Sequence, residues 1–68
     1  MGAALHIKAA MLYKGESQIG LAQKMGRLPQ TFYNMLSRDA MRFSEVEQIA
    51  DALECDVVLI DRKTGQVF

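Results

Sequence analysis

The sequence holds no tryptophan, one proline and one cysteine, and its net charge is zero. A single cysteine, Cys55, allows no intramolecular disulfide and no cysteine metal cluster. No apolar run approaches the roughly 20 residues that a membrane span needs. Residues 2–14 set His6, Lys8 and Lys14 among their apolar neighbours, unlike the uninterrupted stretch of a signal peptide. The chain is therefore expected to be cytoplasmic and to have no membrane contact. One histidine and one cysteine leave no nucleophile paired with a base at helical spacing, and no glycine-rich phosphate loop is present. No catalytic residue, metal ligand or cofactor is assigned, and the chain is read as a non-enzyme.

What is present is apolar character and an uneven charge. Half the residues are hydrophobic, enough for a core and too much for a disordered segment. The 68 residues are read as a single domain. A domain of this size buries only about 60% of its unfolded surface, and without a disulfide or metal it gains from pairing with a second copy. Residues 1–38 carry Lys8, Lys14, Lys24, Arg27 and Arg38 against Glu16 alone, a net +4. Residues 39–68 carry Arg42, Arg62 and Lys63 against seven acids, a net −4. Such a dipole can turn its basic half to a polyanion and its acidic half away.

Periodicity predicts four helices, over about 3–14, 18–25, 29–37 and 45–54. In the first, Ile7, Ala10, Met11 and Lys14 follow helical spacing, with Leu5 and Leu12 alongside. Gly15 stops it, and Ser17 is a suitable N-cap for the second, which ends at Gly26. Pro29 suits the opening turn of the third, where its missing N–H costs nothing; Phe32, Met35 and Leu36 share one face. Ser44 and Glu47 have capping-box spacing for the fourth, with Val46, Ile49, Ala50 and Leu53 as its buried stripe. Residues 57–68 change character. Val57, Val58, Leu59 and Ile60 read as a short strand, Arg62–Gly65 as a turn, and Gln66, Val67 and Phe68 as a possible return strand. A continuously apolar strand wants cover on both faces, which a lone hairpin cannot supply and a second subunit can. Val57, Val58, Leu59, Ile60 and Phe68 are therefore the expected dimer interface.

The segment from about Ser17 to Arg38 carries the functional signal. Ala22 lets two helix axes cross closely, Gly26 gives the turn its freedom, and Leu21, Met25, Phe32 and Met35 anchor the pair. Gln30, Thr31, Tyr33 and Asn34 then remain on the open face of the third helix. An Asn or Gln amide can donate to and accept from adenine, and a threonine methyl can touch a thymine methyl.

With Gln18, Leu21, Ala22, Gly26, Phe32 and Met35 in register, the chain resembles the lambda-repressor-like helix-turn-helix domains, the Cro and phage-repressor kind also called XRE. The resemblance spans Leu5 to Leu53, about three quarters of the chain. It implies a mainly α, four-helix DNA-binding bundle, here with a short C-terminal β strand or hairpin. It further implies a prokaryotic or phage transcriptional regulator, a repressor by preference, binding double-stranded DNA as a homodimer with the third helix in the major groove. Carried onto this sequence, Gln30, Thr31, Asn34 and Tyr33 read bases, while Gln18, Arg27 and Arg38 hold phosphates. The segment departs from the family at Glu16, Gly20, Pro29 and Leu36. Gly20 inside a helix costs about 0.5–1 kcal/mol relative to alanine. The alternative is a protein-interaction module, such as an antitoxin component binding a partner protein, suggested by the apolar tail and by Ile19.

Overall fold

A computed structural model describes residues 2–68. It holds four helices, α1 (Ala3–Lys14), α2 (Gln18–Lys24), α3 (Pro29–Arg38) and α4 (Phe43–Ala52). The fold is small and mainly helical. α2 packs on α3, and α1 packs on α4. One core serves all four: Ala4, Ile7 and Met11 from α1, Leu21 and Ala22 from α2, Phe32 and Leu36 from α3, and Ile49 with Leu53 at the end of α4. Phe32, Leu21 and Ile49 are fully buried. No described helix is long and apolar enough to cross a membrane.

The helix ends follow from local chemistry. Gly15 takes φ 70° after α1, and Gly26 takes φ 69° after α2, where a side chain would be strained. The reversed backbone lets the next amides reach back: Glu16 N–H donates to Met11 O at 2.9 Å, and Arg27 N–H donates to Ala22 O at 2.9 Å. This satisfies carbonyls that a helix end otherwise leaves orphaned. Ser17 caps α2 as expected, its Oγ accepting from Gly20 N–H at 2.9 Å. That contact also explains Gly20. A Cβ there would lie 3.0 Å from Ser17 Oγ and 3.1 Å from a Glu16 carboxylate oxygen.

Several expectations are corrected. Leu5 and Leu12 lie outside the core, Leu12 at 83% exposure, while Ala4 is buried. α1 is apolar nearly all round, so its spacing fits more than one face. α4 begins two residues before its expected start. Glu45 rather than Glu47 bends back, its carboxylate accepting from Arg42 N–H at 2.8 Å. α4 also ends earlier, because Glu54 adopts φ 58° and Cys55 N–H donates to Ala50 O at 2.8 Å. Val46 and Ala50 are only half-buried, leaving Ile49 and Leu53 as the stripe.

The expected strand or hairpin over 57–68 does not form as a strand. A single antiparallel bridge joins Ile60 to Val67. It is flanked by Asp61 N–H donating to Gln66 O and Phe68 N–H donating to Leu59 O, each at 2.9 Å. Two strands with no third and no packed face make only a marginal ladder, and every residue from Asp56 to Phe68 is exposed. The turn does form. Gly65 takes φ 76°, and Asp61 Oδ2 accepts from Thr64 N–H at 3.1 Å and Thr64 Oγ1–H at 2.7 Å.

Candidate nucleic-acid interface

α3 has two faces of opposite chemistry. Pro29 opens it, needing no acceptor for a missing N–H. Phe32 and Leu36, four residues apart, are sunk in the core, and Met35 packs against it. The same rotation leaves Gln30, Thr31, Tyr33 and Asn34 exposed together. No acid lies between Pro29 and Arg38, and exposed Arg38 adds a cation at the last turn.

Gln30 Nε2 donates to Asn34 Oδ1 at 3.2 Å, a pair one helical turn apart. The contact restrains two flexible side chains and leaves each amide with donors and acceptors to spare. The face can thus present bidentate amides, a hydroxyl with a methyl, and a phenol to a flat polar edge. It offers no nucleophile with a base.

The expected phosphate groups are less alike. Gln18 is half-buried at the first position of α2. Arg27, in the α2–α3 turn, is turned onto the body: Nη2 donates to Gln48 Oε1 at 2.9 Å and Nη1 to Met35 Sδ at 3.6 Å. Gln48 was not marked by any pattern in the sequence, since it lies on the outward side of α4. Lys24 also has a partner, Glu16, with 2.6 Å between Nζ and Oε2. Hydrogen bonding and charge from Glu16 raise the Lys24 pKa. This pairing gives the unusual Glu16 a local role and removes an uncompensated acid beside α2.

Asp39 is the residue that sequence reasoning missed. It follows α3 in the left-handed region, φ 53°. Its carboxylate crosses to the start of α1, accepting from Gly2 N–H at 2.8 Å and Ala4 N–H at 2.9 Å. The Ala4 amide first, then Gly2, and the nearby charge of Lys8, hold its carboxyl below the usual carboxylate range. The expected dimer residues Val57, Val58, Leu59, Ile60 and Phe68 are all exposed, Phe68 at 77%.

Comparison with protein-family models, curated proteins and solved structures finds no match for this chain. The functional argument therefore rests on the chemistry of these faces.

Proposed function

We propose that the chain is a sequence-specific DNA-binding transcription regulator of the lambda-repressor-like helix-turn-helix kind, a repressor acting on the nucleoid in the cytoplasm. The observation that carries the reading is the outward face of α3. Four polar side chains suited to base edges stand exposed without an acid among them, on a helix whose other face is locked in the core. Gln30, Thr31, Tyr33 and Asn34 would meet bases in the major groove. Gln18 and Arg38 would hold phosphates, positioning the helix without reading sequence. Arg27 would join them through the guanidinium donors that Gln48 and Met35 leave over. The homodimer would form through Val57, Val58, Leu59, Ile60 and Phe68, whose exposure supports a covered role in the assembly.

Selection from a random duplex library tests the reading. A palindromic site should be enriched, and Asn34→Ala should lose about 1–3 kcal/mol of discrimination at one base position per half-site. Binding that ignores salt would sink the proposal. Deleting residues 57–68 should give monomers with weaker DNA affinity, and a truncated chain that still sediments as a dimer would refute the interface.

The partner-protein reading keeps one observation in its favour. Leu5, Leu12 and Tyr13 are large apolar residues left exposed on α1. A stable hetero-complex from native extract, with no duplex enriched, would favour it.

A further inference from the structure

The end of the proposed recognition helix is tied to a distant part of the chain by one side chain. Asp39 follows α3 directly, next to Arg38, and its two carboxylate oxygens take the amides of Gly2 and Ala4 at 2.8 and 2.9 Å. Those amides belong to the start of α1, where the N-cap residue Gly2 supplies no side-chain cap of its own. A helix start leaves its first N–H groups unpaired and carries partial positive charge, so a carboxylate is the ligand it favours.

The fit is close on both sides. A Cβ at position 2 would lie 2.6 Å from Asp39 Cγ and 2.7 Å from Oδ2, so a side chain there would push the carboxylate aside. Asp39 itself holds φ 53°, a conformation that Asp tolerates better than most residues. A glycine would suit that backbone better but would supply no carboxylate.

We propose that Asp39 is a positioning residue for DNA recognition, clamping the C-terminal end of α3 to the N-terminus of α1 and so fixing the pose of the helix that carries Gln30, Thr31, Tyr33 and Asn34. The inference rests on the DNA-binding reading of α3. It makes an unusual demand of electrostatics. An acid beside a DNA-facing helix repels phosphate, so a carboxylate of no further consequence should weaken binding and its removal should strengthen it. A positioning carboxylate does the reverse.

Two variants separate these cases. Asp39→Asn keeps the shape and removes the charge and one acceptor. Gly2→Ala removes no charge and sits 37 residues away in sequence, yet displaces the carboxylate. Duplex affinity is measured by anisotropy over a salt series, at a temperature where circular dichroism shows each variant fully folded. Both variants should bind about three- to tenfold more weakly, the range set by one net hydrogen bond. The slope of affinity against salt should match the parent, because no phosphate contact is lost. Tighter binding by Asp39→Asn, or parent affinity in Gly2→Ala, would overturn the inference and leave the DNA reading standing. Absence of salt-dependent duplex binding by the parent would remove both.

Discussion

Residues 3–55 hold all of the buried apolar side chains among the described residues, and residues 57–68 hold none. Phe32 is fully buried, while Phe68 is 77% exposed. Ile49 is sealed among four helices, while Ile60 stands in the open beside its single bridge partner Val67. Apolarity alone does not decide the outcome. In the first region every buried apolar residue but Leu53, at the C-cap of α4, lies in a helix that satisfies its own backbone, so packing is the main remaining demand. In the second, the backbone needs a neighbouring strand before the side chains can be packed, and only one bridge is available. The tail is apolar without a core of its own, and it is the part of the chain that the proposed homodimer would cover.

The strongest way to break the comparison is to truncate one phenylalanine in each region. Phe32→Ala should cost about 3–5 kcal/mol, since a buried aromatic loses both its transfer energy and its packing. A domain of this length has only about 3–10 kcal/mol in total, so this variant should be largely unfolded by circular dichroism near 37 °C. Phe68→Ala should stay within about 0.5 kcal/mol of the parent at dilutions that dissociate the proposed dimer. A larger loss at that dilution would mean that the tail packs on its own helices. A loss appearing only as concentration rises would place Phe68 between copies.

A smaller effect tests how the helices end. α1 and α2 stop at glycines in the left-handed region, whereas α3 and α4 stop at Asp39 and Glu54 in the same region. Glu54 makes no side-chain hydrogen bond among the described residues, and the backbone bonds that its φ of 58° allows, such as Cys55 N–H to Ala50 O at 2.8 Å, do not need its side chain. Glu54→Gly should therefore stabilise the chain by about 1 kcal/mol, read as a higher urea midpoint at unchanged slope. Asp39→Gly relieves similar strain but removes the link to Gly2 and Ala4. It should bring no comparable gain, and an equal gain from both would show that link to be worth little.

This contrast also marks what could be read beforehand. Gly15, Ser17, Gly26 and Pro29 announce the boundaries around α2 and the start of α3, because each has a conformational or capping property that few residues share. The polar face of α3 follows by elimination once Phe32 and Leu36 are taken inward. Asp39 and Glu54 carry no such mark, since most acids at helix ends are simply solvated. Ser44 and Glu47 fit the capping spacing as well as Arg42 and Glu45 do, and a spacing rule cannot choose between overlapping candidates. The exposure of Leu5 and Leu12 is hidden from the sequence for a related reason. A helix with alanines and leucines on most sides has no preferred face until its neighbours arrive. The Asp39 clamp and the Arg27–Gln48 contact join residues 37 and 21 apart, and no local pattern reaches that far.

The smallest effect sets two aspartates against each other. Asp39 ties α3 to α1, whereas Asp61 ties the tail only to itself through Thr64. Both carboxyls are held below the usual range, Asp39 by the Ala4 and Gly2 amides and Asp61 by the Thr64 hydroxyl and amide. A carboxyl with a lowered folded pKa binds its proton more readily when unfolded. Its stabilisation is complete above the unfolded value, about 4, and is lost as pH falls through the lower folded value. Stability of the parent should therefore decline below about pH 4. Asp39→Asn should flatten that decline in global unfolding followed by helical circular dichroism, because Asp39 joins elements that unfold together. Asp61→Asn should leave the helical transition where it is and alter only amide exchange near Thr64 and Gly65. If Asp61→Asn moved the helical transition as far as Asp39→Asn does, the tail would be folding with the helices, and the division between the two regions would not hold.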